Sequence, residues 1–303
     1  YASTSGLLSC PGPSVSYSIQ VLAVPFVNPL PDAVVCSQSS FSGINFSGSA
    51  NVYSWSNSNP SIGLSASGTG NIPSFNTQNA SLNPIFGSIS VIPQLNTGTL
   101  VCSGIPDTLL ITVNPQPTAT APASVTLCNG DTSPSIALVG NATQLIWNNP
   151  NPNIGLVGSG NTSIPSFTAN NTTSTVSTTT ISILPSYSNL GLTCDGQSVS
   201  YDIIISPTPT VNSVNDLVLC SQTNLNGVNF GGTANVVNWT NNNPSIGLAA
   251  SGTGNITSFI GQNSSNQFVN TAQVVVQALY NINNLSCVGN IDTFNISVAP
   301  LPI

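Results

Sequence analysis

The side chains best equipped for chemistry are seven cysteines and seven aspartates, in a chain of 303 residues that has no Lys, Arg, His or Glu. The cysteines fall into two registers. Cys10, Cys102 and Cys194 are 92 residues apart and Cys287 follows 93 later, while Cys36, Cys128 and Cys220 form a second series spaced by 92. A structural zinc site normally shows closely spaced CxxC pairs, often with His, and neither is present. Disulfides formed in an oxidising compartment fit better. The aspartates make a poor calcium site, because that ion needs several converging oxygens and no DxD cluster occurs. Asp32 and Asp216 share a register in which the middle copy has Ser124, and Asp107 and Asp292 share another in which it has Val199. These positions read as turn and solubility residues, so no metal and no cofactor is expected. Ser and Thr are abundant, yet a nucleophilic hydroxyl needs a base, and without His or Lys only Asp could serve. The chain is not expected to be an enzyme.

Charge closes further classes. With a formal net charge of −7 and no basic side chain, the chain cannot neutralise phosphates, which excludes nucleic acid as a partner. Anionic membrane surfaces should repel it, and no run of about eighteen apolar residues would insert. An apolar fraction of 40% and a mean hydropathy of +0.24 argue against disorder. The N-terminus lacks a signal-peptide pattern, which points to a mature or excised segment.

The cysteine spacing belongs to a repeat. Trp55, Trp147 and Trp239 keep the same step, and the segments ending at Phe75, Phe167 and Phe259 are near-copies of NPSIGLxxSGTGNIxSF. Pro25, Pro115 with Pro117, Pro207 with Pro209, and Pro300 with Pro302 punctuate it as short, stiff linkers. The boundaries expected are 1–25, the C-terminal strands of a preceding, truncated repeat, followed by repeats at 26–117, 118–209 and 210–303. Apolar residues alternate with period two at Tyr17, Ile19 and Val21, at Leu109, Ile111 and Val113, at Tyr201, Ile203 and Ile205, and at Phe294, Ile296 and Val298. Tyr53, Leu145 and Val237, each two residues before a Trp, share its face. The fold class expected is all-β: tandem immunoglobulin-like antiparallel β-sandwiches of about seven strands each, without helices, joined by Pro-x-Pro linkers.

In each unit a Cys precedes the Trp by 19 residues and the next Cys follows it by 47, or by 48 in the third. Two pairings fit this order. Cys36 with Cys102, Cys128 with Cys194 and Cys220 with Cys287 would close each domain, and are preferred because such a bridge is worth roughly 4 kcal/mol in loop entropy. Cys10 with Cys36, Cys102 with Cys128 and Cys194 with Cys220 would instead staple neighbours across the linker. Trp55, Trp147 and Trp239 are expected in the cores rather than as sugar-stacking platforms. Gly63, Gly155 and Gly247, and the Ser-Gly pairs at 67–68, 159–160 and 251–252, read as turns or bulges needing positive φ.

At VCSQ (35–38), WTNNNPSIGLAASGTGNITSF (239–259) and ITVNPQP (111–117) the sequence resembles the PKD-like, immunoglobulin-like repeats of giant surface adhesins of gliding and biofilm-forming Bacteroidota. The resemblance implies export by the type IX route and a place in a surface filament or mobile gliding adhesin. It departs from a PKD domain proper in lacking a WDFGDG-type motif.

These features together read as a rigid, disulfide-stapled spacer in an extracellular, cell-surface stalk or filament, with adjacent repeats as its partners. The alternative is an adhesive module that recognises glycans or a partner through its loops. The close preservation of the IGL-to-SF loop favours the spacer. Sheet edges without Lys or Glu protection make lateral self-association into fibres a further expectation. Sequons such as Asn141, Asn238 and Asn295 are of a kind that an Asn- and Thr-rich chain also produces by chance.

Overall fold

A computed structural model describes residues 12–301; the expected roles of Cys10 and Pro302 lie outside the described residues. Alternation of period two sends every second side chain of a strand to one face. In the closing strands this buries Leu109, Ile111 and Val113 of Asp107–Asn114, Tyr201, Ile203 and Ile205 of Val199–Ser206, and Phe294, Ile296 and Val298 of Leu285–Ala299. Burial of such side chains from water, at about 1.5–3 kcal/mol each, drives the formation of each sheet.

The main sheet of the first repeat runs in the order Ala33–Cys36, Asp107–Asn114, Ile85–Asn96, Val52–Asn57, Ser67–Thr69. The second repeats it as Val125–Cys128, Val199–Ser206, Ser177–Asn189, Gln144–Asn148, Ser159–Asn161, and the third as Leu217–Cys220, Leu285–Ala299, Asn270–Ile282, Val236–Asn241, Ser251–Thr253. Short pairs such as Ser40–Phe41 with Phe75–Asn76, and Asn224–Leu225 with Phe259–Ile260, form the facing layer. Three hydrophobic cores lie between these layers, one around each Trp. Contacts divide the chain between Pro115 and Gln116 into two compact units, the second holding the second and third sandwiches.

Four details depart from the sequence reading. The opening strand of each repeat lies parallel to the closing strand, with Cys36 beside Asn114, Cys128 beside Ser206 and Cys220 beside Ala299. A parallel pair needs a crossover, and the whole intervening sandwich supplies it. The segments Pro60–Ile62, Pro152–Ile154 and Pro244–Ile246 are single 3₁₀ turns where no helix is expected, though the glycine closing each has the positive φ expected of it: 100° at Gly63, 95° at Gly155 and 96° at Gly247. The Ser-Gly glycines, by contrast, are needed for space: a Cβ on Gly160 would meet the indole of Trp147, and Gly68 and Gly252 stand in the same relation to Trp55 and Trp239. Finally, Tyr17, Ile19 and Val21 are exposed and form no strand. A closing strand forms against its hairpin partner, and none pairs with these residues. No α-helix occurs among the described residues, and no helix is long and apolar enough to cross a membrane.

Candidate functional site: the joint between the second and third repeats

The site is built from two strand ends. In the second repeat the parallel pairing of Val125–Cys128 with Val199–Ser206 brings Cys128 and Ser206 to the same edge of the sandwich, where Pro207 and Pro209 lead out. In the third repeat Asn270–Ile282 and Leu285–Ala299 form one long hairpin whose tip is Asn283 and Asn284, with Cys287 opposite Tyr280 just after the turn. The hairpin is an arm that reaches back onto the preceding sandwich.

There Cys128 and Cys287 form a disulfide, with a Cα–Cα distance of 5.5 Å across a sequence separation of 159. Cys287 is 2% exposed, and the buried Ser206 hydroxyl donates to its sulfur at 2.9 Å. At the arm's tip the Asn283 amide donates to Thr126 Oγ1 at 3.0 Å. The linker is zipped to the same arm. Asn290 N–H donates to Pro209 O (3.2 Å), Val211 N–H donates to Asn290 Oδ1 (2.7 Å), and the Asn290 amide donates to Val211 O (3.1 Å). Both Pro207 and Pro209 are buried. Hydrogen bonds and burial here add to the constraint of proline's fixed φ.

This bond overturns both expected pairings of Cys128. It is bonded neither to Cys194 of its own sandwich nor to Cys102, but to the late cysteine of the next one. The physical reason is the parallel opening strand, which carries the early cysteine to the end of the unit where the chain exits, while the hairpin holds the late cysteine at the end where it enters. Cys36 and Cys194 each take part in a disulfide as well. Cys102 and Cys220, expected in bridges, are free thiols.

The tryptophans lie in the cores, with Trp55 5%, Trp147 1% and Trp239 7% exposed. Trp147 Nε1 donates to Ser163 O at 3.0 Å, whereas the indole N–H groups of Trp55 and Trp239 have no partner. Each aspartate accepts a hydrogen bond within its own sandwich. Asp32 takes Leu110 N–H, and Asp216 takes Asn295 N–H, both at 2.7 Å. Asp107 takes Leu30 N–H (3.0 Å) and Asp292 takes Val214 N–H (2.9 Å). In the second repeat Ser124 Oγ replaces the first of these carboxylates and accepts Asp202 N–H at 3.3 Å. Asp131 takes Cys128 N–H, and Asp195 and Asp202 accept from the hydroxyls of Ser186 and Thr180. Among the described residues no three His, Cys, Asp or Glu side chains gather as a metal-binding group.

Two asparagines per repeat went unremarked in the sequence. Asn57, Asn149 and Asn241, each two residues after a Trp, donate at 2.9 Å to the carbonyls of Leu64, Leu156 and Leu248, and fasten the conserved loop to the core. Asn79, Asn171 and Asn263 donate at 2.8–2.9 Å to Val113, Ile205 and Val298 O, and clamp the closing strands. Their recurrence in every copy was the available signal.

No protein-family model matches the chain, and no curated protein matches it in sequence. Among solved structures it is similar to three tandem repeats of mouse cadherin-23, EC22–24, at 8% identity and a TM-score of 0.37, covering 92% of this chain and 99% of that one. It is also similar to EC1–4 of Drosophila N-cadherin (11%, TM-score 0.33, 91% and 75% covered) and to immunoglobulin domains 1–5 of Sidekick-1 (11%, 0.31, 90% and 61%).

Proposed function

We propose that the chain is a structural, non-catalytic spacer of an extracellular stalk or filament, made of repeats at 26–117, 118–209 and 210–303, in which the joint between the second and third repeats is stiffened covalently. The observation that carries this reading is the Cys128–Cys287 bond, which ties the exit end of one sandwich to the entry hairpin of the next. A ligand-binding module gains little from such a bond, whereas a spacer gains resistance to bending. Disulfides of this kind persist in oxidising compartments outside the cytosol. The resemblance to Bacteroidota surface repeats extends the proposal to a type IX-exported adhesin or gliding filament.

Small-angle scattering of the full chain, compared with the Cys128→Ser, Cys287→Ser double variant, tests this reading. A stiffened joint gives the wild type the larger maximum dimension and the narrower distance distribution, and chelation with EDTA changes neither. Identical profiles for the two proteins would sink the spacer reading.

A further inference from the structure

An asparagine followed by glycine is prone to react with its own backbone, because a residue without a Cβ lets its nitrogen approach the preceding side-chain amide. The chain has two such pairs, Asn129–Gly130 and Asn226–Gly227. The fold treats them oppositely. At Asn129 every group the reaction needs is tied down: Gly130 N–H donates to Ala169 O (2.8 Å), the Asn129 amide donates to Thr208 Oγ1 (2.7 Å), and its Oδ1 accepts Asn171 N–H (2.7 Å). The one Asp-Gly pair is held in the same way, with Gly196 N–H donating to Pro185 O and Asp195 accepting from the Ser186 hydroxyl. Asn226 and Gly227, by contrast, are both exposed. Among the described residues nothing accepts from Gly227 N–H, and Asn226 Oδ1 makes only a long contact, accepting the Asn224 amide at 3.5 Å.

The third repeat is alone in carrying this pair. Ser42 and Pro134 stand in register with Asn226 in the first and second repeats, and neither has an amide to lose. Asn226 and Gly227 also span two pairings between the same segments. Leu225 opposes Phe259 on one side, and on the other Val228 and Ile256 exchange backbone hydrogen bonds of 2.9 and 3.0 Å. Gly227 lies so close to Ile256 O that a Cβ would come within 2.3 Å of it. The span has no slack for an additional main-chain atom.

We propose that Asn226 is a self-modification site, where the third repeat converts an amide to a carboxylate through a cyclic imide, and that the isoaspartyl product loosens the facing layer there. Gly227 N, once its proton has passed to hydroxide, attacks Asn226 Cγ. The new C–N bond closes a succinimide ring, and Nδ2 leaves as ammonia with a proton from water. A second water then opens the ring. Cleavage of the bond to Cγ restores the ordinary main chain with an aspartyl side chain, whereas cleavage of the bond to the backbone carbonyl carbon reroutes the main chain through Cγ and lengthens it. Net, one amide and one water become one carboxylic acid and one ammonia, without oxidant or cofactor, and a carboxylate joins the seven of the sequence.

The test incubates the full chain, its free thiols alkylated, in mildly alkaline buffer, natively and in guanidinium, and maps it by chymotryptic digestion, trypsin having no site in the sequence. Expected natively is a gain of about 1 Da on the peptide holding Asn226, with electron-transfer fragments of the isoaspartyl form. Asn129 should react more slowly on the order of 100-fold, since three native hydrogen bonds must open first. In guanidinium, where those bonds are gone, the two sites should react at similar rates. Asn226→Ser, which matches Ser42 of the first repeat, should remove the native mass gain. After chromatographic separation of the products, amide exchange at Val228 and Ile256 should quicken in the isoaspartyl form and not in the aspartyl one. Equal native rates at the two pairs, or an Asn226 that outlasts Asn129, would overturn the proposal. Unchanged exchange at Val228 in the isoaspartyl form would overturn the loosening.

Discussion

Where the first and third repeats place Leu109 and Phe294 in the closing strand, the second places Tyr201, whose buried hydroxyl has no partner. Burial without a compensating bond disfavours the phenolate, and the Tyr201 pKa is pushed up to about 12. The neutral form therefore stabilises the fold fully below the unfolded value near 10, and that contribution is lost as pH rises from about 10 through 12. Tyr201→Phe should raise the stability of the second repeat by about 1 kcal/mol at neutral pH, since it removes an unsatisfied polar group. It should also abolish roughly 1–2 kcal/mol of alkaline destabilisation at pH 11.5. Chemical denaturation at pH 7 and pH 11.5, with the free thiols alkylated first, measures both. A less stable variant at pH 7 would mean that the hydroxyl has an undetected partner. Trp147→Ala in the same core should cost about 3–5 kcal/mol, through the cavity it opens, and the melting temperature reports it. An unchanged melting temperature would contradict the packing described.

At the scale of elements, side-chain amides do the fastening that a charged protein can give to ion pairs. Asn171 donates to Ile205 O and Thr175 O and accepts Thr173 N–H, so one side chain satisfies three backbone groups around the end of a closing strand. Asn171→Ala should cost about 1–3 kcal/mol by leaving buried groups unpaired, with faster amide exchange at the end of that strand. Unaltered exchange there would show that solvent replaces the amide freely. The strands themselves were legible in the sequence, because a period of two with one apolar face admits few alternatives. The role of the asparagines was not, since an amide shows no chemistry until its burial is known. Gly160 was misread for a related reason: a need for empty space above the backbone and a need for positive φ leave the same letter in the sequence. The 3₁₀ turns were hidden by their length, three residues being too short for any periodicity.

At the scale of the molecule, the repeat, its cysteine registers and its proline punctuation could be read directly, but the pairing of Cys128 could not. Distance along the chain favoured Cys194, whereas the ends at which strands enter and leave each sandwich brought Cys287 to it. That topology has a mechanical consequence. When tension is applied through attachments next to Cys128 and Cys287, at residues 127 and 288, it crosses the joint through two sulfur atoms, and residues 129–286 carry none of it. Most of two sandwiches is thereby shunted out of the force path, whatever their thermodynamic stability. Single-molecule pulling between those two attachments should lack the corresponding extension, on the order of 500 Å at about 3.3–3.6 Å per residue, and reductant should restore it. A complete unfolding step from residues 129–286 with the disulfide intact would refute the shunt. The weak link under load is then moved from the folded core to a covalent bond, so the joint bears tension without its sandwiches melting.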